Sequence, residues 1–236
     1  MQTIFFAILF YIVIGGVGMY LGNRKVDTDT GKQRWLKYTT YIFITGIVII
    51  SILYNLFWLL ASMIALIGYW ELIKARSNQQ IFALVIYSLI ITGFLFFAFQ
   101  LKKEFQFFLY FQILTFDAFS QVTGQLIGRT KMVRKISPAK TWEGFAGGIV
   151  FCILSSIFSS SYLNISIAIA TLLGFITSLT GFGGDILASF YKRMAGIKDY
   201  SNLLPGQGGF LDRFDSFMMS AFCYSIIYLF NNEWVV

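Results

Sequence analysis

A chain of 236 residues that is 57% hydrophobic and 19% aromatic but only 12% charged, with a mean hydropathy of +0.72, is too apolar for a water-soluble domain. The absence of histidine excludes imidazole bases, Ser-His triads and His-ligated zinc, and the two cysteines, Cys152 and Cys223, sit singly in apolar runs as core filler. The net charge of +7 requires no nucleic acid partner, because membrane topology and anionic lipid headgroups account for it.

Apolar runs of roughly 20 residues, the length that crosses a hydrocarbon core, recur along the chain. They predict an all-α polytopic membrane protein with about eight spans in one integral domain, residues 1–236, divided into N-terminal helices (1–104) and a half carrying the polar motifs (105–236). Residues 1–21 form the first span; without a basic n-region or a small-residue cleavage site, it is expected to be retained. Residues 37–74 are too long for one span and divide near Tyr54-Asn55 into the second and third. The fourth covers 81–100, the fifth 105–127, the sixth 141–158, the seventh 165–182 and the eighth 214–230.

Lys and Arg are retained on the cytoplasmic side of short loops. With the N-terminus outside, the loops 24–37, 74–76, 129–140 and 192–213 face the cytoplasm, and only Lys102 and Lys103 of the 18 basic residues fall on the other side. A miscounted span would invert everything after it, so the asymmetry supports both the count and a polar region at the cytoplasmic face of the cell membrane. A basic cytoplasmic surface also suits a phosphate-rich ligand. No internal repeat or low-complexity tract is visible, and with only two prolines there is no flexible linker.

Asp117, between Phe116 and Ala118, interrupts the apolar fifth span. An acid at membrane depth faces a cavity, a cation or a partner, so Asp117 is expected to line a site. The loop that follows holds Ser137 and Lys140, which would grip phosphate or serve only topology; Thr141 is placed to cap the sixth span, and Gly144 and Gly148, four apart, permit close helix approach.

The one long polar passage runs from Gly183 to Ser216. Asp185 follows two glycines and reads as the N-cap of a new helix, on which Ser189 and Lys192 fall within about 40° of it. The face is either a ligand-binding one or that of a capped amphipathic helix with a snorkelling lysine. Pro205-Gly206-Gln207-Gly208-Gly209 has the backbone freedom to cradle a phosphate or simply to turn. Asp212 and Asp215, at i and i+3, project from one side of the helix that opens the last span. Two carboxylates at a membrane boundary need a cation, either Mg²⁺, suited to oxygen-only ligands, or Arg213.

Two patterns together resemble the phosphatidate cytidylyltransferase (CDP-diglyceride synthetase) family. One is Ser189-x-x-Lys192-Arg193-x4-Lys198-Asp199 followed by Leu204-Pro205-Gly206-x-Gly208-Gly209-x-x-Asp212-Arg213-x-Asp215; the other is Lys135-Ile136-Ser137-Pro138-x-Lys140-Thr141-Trp142-Glu143-Gly144. Both lie in the C-terminal half, and the N-terminal half matches only as generic membrane helices. One departure is Gln207, which stands where the family normally has histidine and can hydrogen-bond but carries no proton.

The resemblance implies that CTP and phosphatidate give CDP-diacylglycerol and pyrophosphate on an all-helical homodimer with a polar funnel open to the cytoplasm. It also implies that Asp185 and Asp212 hold Mg²⁺ with Asp215 assisting, beside a second, monovalent cation such as K⁺. Lys192 would then neutralise the α-phosphate or pyrophosphate, while Ser137, Lys140 and Lys198 grip further oxygens and the 206–209 backbone cradles the leaving group. Arg193 or Arg213 would orient Asp or lipid phosphate, and Ser189 and Asp117 would line the site. A lipid phosphomonoester, with a second pKa of about 6, is already ionised near neutrality, so the lack of histidine is no obstacle. A CTP-dependent polyprenol or phytol kinase would need a base for its alcohol. An anion transporter predicts two related halves, which are not visible, and a non-catalytic homologue is suggested only by Gln207.

Overall fold

The computed structural model describes residues 2–24, 27–75 and 80–230; Lys25 and Arg76, two of the basic residues counted above, lie outside them. The helices are α1 (Gln2–Asn23), α2 (Thr28–Leu53), α3 (Phe57–Lys74), α4 (Gln80–Gln100), α5 (Lys103–Ile127), α6 (Trp142–Leu163), α7 (Ile167–Met194) and α8 (Leu211–Phe230). Each expected span is a helix, in the expected order. The protein is an all-α polytopic membrane protein, and among the described residues α2, α3, α4, α6 and α7 are long and apolar enough to cross a membrane. The other helices include α5 and α8, which carry the acids singled out above.

Local chemistry sets the helix ends. Asp27 caps α2 by accepting the Thr30 amide at 2.9 Å, and that hydrogen bond holds its carboxyl below the ordinary value. The break at Tyr54-Asn55 is a turn in which Asn55 adopts φ 58°, a conformation asparagine tolerates. Thr141 caps α6 as expected, its hydroxyl accepting the Gly144 amide at 3.2 Å.

Two features depart from the sequence reading. The loop after α5 folds into a short antiparallel hairpin, β1 (Lys131–Val133) and β2 (Ser137–Thr141), with Lys131 opposite Thr141. And α7 does not stop at Gly183-Gly184: it runs on to Met194, so Asp185 is an interior helical residue, not an N-cap. The uninterrupted helix survives two glycines because α8 packs against it there. A Cβ on Gly184 would lie 2.6 Å from the Asp215 carbonyl oxygen and 2.8 Å from the Met219 Cβ, so the missing side chain is what lets the helices meet.

Helices α5 to α8 pack in sequence, each along the next, with α5 also touching α7 and α8; α4 then packs on α8, and α3 on α4. The seams are made by small residues: a Cβ at Gly148 would sit 2.7 Å from the Phe116 ring, and one at Gly144 2.7 Å from the Ser120 carbonyl. The centre is aromatic. Phe217 of α8 is 1% exposed, and its ring meets Phe57, Phe94, Phe97 and Tyr110 edge-on or nearly so, at centroid distances of 5.9, 5.7, 6.2 and 5.5 Å. Outward apolar side chains such as Phe43, Leu66, Phe158 and Ile167 remain exposed, as a surface solvated by lipid requires.

The adjacent glycines give a paired test. Gly184→Ala is expected to lower the thermal midpoint in detergent through an overpacking cost of about 1–3 kcal/mol. Gly183→Ala, whose Cβ would meet nothing within 4 Å, should leave the midpoint unchanged or raise it by up to about 1 kcal/mol of helix propensity. Equal losses at both positions would contradict the α7–α8 contact.

Candidate active site

Alternating helix direction brings the polar connections to one end of the bundle, where they are tied together. The Arg193 Nε and Nη1 donate to the carbonyls of Ile136 in the hairpin (3.3 Å) and Ile197 (3.1 Å). Thr40 of α2 donates to the Pro205 carbonyl at 3.1 Å, and the Gln207 Nε2 to the Lys37 carbonyl at 2.6 Å. The Tyr191 hydroxyl donates to the Ala75 carbonyl at 2.9 Å.

The firmest tie is Glu71, in the last turn of α3 and 0% exposed. Its carboxylate accepts the Ser201 hydroxyl at 2.5 Å, the Phe210 amide at 3.0 Å and the Leu211 amide at 2.8 Å. The last two are N–H groups that a helix start leaves without intrahelical partners, so α3 supplies the anion that caps α8. Sequence reasoning missed this residue: beside Lys74 at a span end, Glu71 looks like an ordinary interfacial charge.

Asp212 closes the same loop from within. One oxygen receives the Lys192 ammonium at 2.5 Å, and the other accepts the amides of Tyr200 and Gly209, each at 2.8 Å. The Tyr200 ring lies 5.5 Å from the Lys192 nitrogen, and burial raises its hydroxyl above the ordinary phenol value. Residues 204–208 form a tight turn. The amides of Gln207 and Gly208 donate to the Leu204 carbonyl at 2.9 and 3.2 Å, and Gly206 and Gly208 take φ 72° and 88°. The amides of residues 207–209 are therefore spent inside the fold, and glycine is needed here for its left-handed backbone.

Between α5, the hairpin, α7 and α8 lies a cavity of about 630 Å³, within the size range of small-molecule sites. Four acids, Asp117, Asp185, Asp212 and Asp215, and four bases, Lys131, Lys140, Lys192 and Arg213, line it. The structure thus gathers residues separated by nearly 100 positions in sequence. The Asp185 carboxylate pairs with the Lys140 ammonium and accepts the Ser189 hydroxyl at 3.3 Å. Lys140 also lies over the Phe182 ring, 4.5 Å from its centroid.

Asp117 and Asp215 have no ion-pair partner among the described residues, Arg213 included; Asp215 accepts only its neighbour Ser216's amide, at 2.7 Å. Asp117 is nonetheless solvent-accessible within α5, because it faces the cavity. No three carboxylates stand close enough among the described residues to hold a metal by themselves. Mg²⁺ commonly takes only one or two carboxylates and completes its shell with water and phosphate oxygens, so this oxygen-only set fits a metal carried in with a polyphosphate.

Of the other residues singled out in the sequence, Ser137, Ser189, Arg193, Lys198, Gly206, Gln207, Gly208 and Gly209 do not line the cavity. Ser189 reaches it through Asp185, and Arg193 holds the hairpin. Lys131 and a face of α5 formed by Ser120, Gln121 and Gln125 do line it and were missed. The signal was present: they stand three, four and eight residues after Asp117, the spacing of one helical face.

The fold and site define a polytopic membrane protein whose last four helices enclose a charged cavity at their polar end. Residues 104–230, just those helices, match the Cytidylyltransferase family, and the chain belongs to that family. It is 42% identical over 111 residues to the phosphatidate cytidylyltransferase of Aquifex aeolicus, covering 47% of this chain and 42% of that one. It is 34% identical over 166 residues to that of Staphylococcus saprophyticus, covering 68% and 64%. With phosphatidate cytidylyltransferase 4, chloroplastic, of Arabidopsis thaliana the figures are 41% over 118 residues, covering 49% and 30%. The chain spans less than two thirds of the length of each of these relatives.

Replacing Glu71 by Gln, which lies outside the matched region, is expected to lower the thermal midpoint, because buried amides lose an anionic acceptor at a cost of about 1–3 kcal/mol. Hydrogen exchange should accelerate at residues 200–211 while α6 stays protected. Unchanged exchange there would remove Glu71 as the tie.

Proposed function

We propose that this chain transfers a cytidylyl group from CTP to phosphatidate, forming CDP-diacylglycerol and releasing pyrophosphate in the cavity between α5, α7 and α8. The observation that carries this reading is the combination, in a member of the Cytidylyltransferase family, of carboxylates without a cationic partner among the described residues and a set of cations lining the same cavity. An oxygen of the lipid phosphate bonds to the α-phosphorus of CTP, and the bond from that phosphorus to the β-phosphate oxygen breaks. The nucleophile is already ionised near neutrality, so a site without histidine suffices.

The protein's work is then positioning and charge neutralisation. Lys192 and Lys140, held by Asp212 and Asp185, are placed to exchange those partners for phosphate oxygens, with Lys131 and Arg213 adding charge at the same cavity. Asp185 and Asp215 would hold Mg²⁺, together with whatever acceptor capacity Asp212 retains beyond Lys192 and its two amides. The ion, when bound, supplies charge neutralisation of the triphosphate oxygens. A second, monovalent cation such as K⁺, a homodimeric assembly, and an active site facing the cytoplasm from the cell membrane belong to the same reading.

Full-length protein in detergent, incubated with radiolabelled CTP, Mg²⁺ and phosphatidate, and in parallel with a lipid alcohol, tests this. Labelled CDP-lipid is expected; a phosphorylated alcohol would make the protein a kinase, and no product with either acceptor would end the enzymatic reading. Removing Mg²⁺ with a chelator should abolish turnover. Asp215→Asn should cut kcat by about 10²–10³, the effect of losing one electrostatic contact to the transition state, with an unchanged thermal midpoint. Asp212→Asn should lower both, since Asp212 also binds two loop amides.

A further inference from the structure

The cavity is chemically divided. Every charged group but Asp117 and Lys131 comes from β2, α7 and α8, whereas among the described residues the only amide side chains lining it are Gln121 and Gln125, on α5. Both are exposed to the cavity, and neither makes a hydrogen bond among the described residues. A helix rises about 1.5 Å per residue, so they stand about 6 and 12 Å beyond Asp117 along α5, toward the end where the polar connections gather. Phosphates belong with the lysines and carboxylates of β2, α7 and α8, and the nucleoside of a bound nucleotide would lie against this uncharged face of α5.

An uncharged carboxamide offers one acceptor and a donor side by side. The edge of cytosine, an exocyclic amino donor beside a ring-nitrogen acceptor, is the complement when the carboxamide oxygen faces the amino group; the reversed pattern of uracil requires the carboxamide turned over. Lysine or aspartate at these positions would bind charge without reading that pattern. We infer that Gln121 and Gln125 read the nucleobase of the nucleotide substrate and set its preference for cytosine. This rests on the function proposed above and assigns to α5 a specificity role separate from the charged groups.

The test compares wild type with Gln121→Leu, Gln125→Leu and the double variant, measuring kcat and KM for CTP and for UTP at saturating phosphatidate. Loss of a bidentate contact to a base is worth roughly 5–150-fold. The KM for CTP should rise by that order, with kcat within a few-fold and the CTP-over-UTP ratio of kcat/KM falling toward one. Equilibrium binding of radiolabelled CTP to the same proteins should weaken in parallel. An unchanged ratio in the double variant overturns the assignment, as does an unchanged KM for CTP. If wild type binds CTP but transfers nothing, the enzymatic reading fails, and the binding comparison still decides the role of the glutamines. Wild type that binds no CTP overturns both.

Discussion

A carboxylate held at or below a membrane surface must find donors, a cation or a water-filled space, and this requirement organises the polar end of the protein. Glu71 is the plainest case. Fully buried, it is satisfied only if the connection between α7 and α8 folds back across the end of α3 and offers it the Ser201 hydroxyl and the first amides of α8. The position of α8, and with it Asp212, Arg213 and Asp215, follows from that contact.

The same requirement separates the remaining acids by role. Asp212 is satisfied by Lys192 and two amides, and Asp185 by Lys140 and Ser189. Asp117 and Asp215 lack a cationic partner among the described residues and border the cavity. Carboxylates without a cationic partner among the described residues, in one cavity with lysines whose partners are other carboxylates, are the arrangement on which the proposed exchange with polyphosphate oxygens rests. The cavity needs rigid walls for this, and these come from the glycine contacts of α5 with α6 and of α7 with α8, and from the rings gathered round Phe217.

Membership of the Cytidylyltransferase family is carried by α5 to α8. The structure adds that a residue outside the matched stretch, Glu71, supports it through contacts 130 and more positions away along the chain. A description of the site confined to the matched residues would omit the anion that caps α8.

The helices were legible in the sequence, because hydropathy over a span length is a local property, and so were Asp117 and the 183–216 passage, because acids in an apolar chain stand out locally. The sequence also anticipated the Thr141 cap and the small-residue seam at Gly144 and Gly148. Docking of the helices settles that α7 continues through Gly183 and Gly184, that the 204–208 glycines make a turn with spent amides, and that Asp215 rather than Asp212 has no cationic partner among the described residues. Those outcomes depend on partners brought in by other helices: the Asp215 carbonyl against Gly184, Lys192 against Asp212, α2 and α3 against the loop. Hydrogen bonds and close packing between residues far apart in the chain exist only once the helices have docked, so no local pattern could have assigned them.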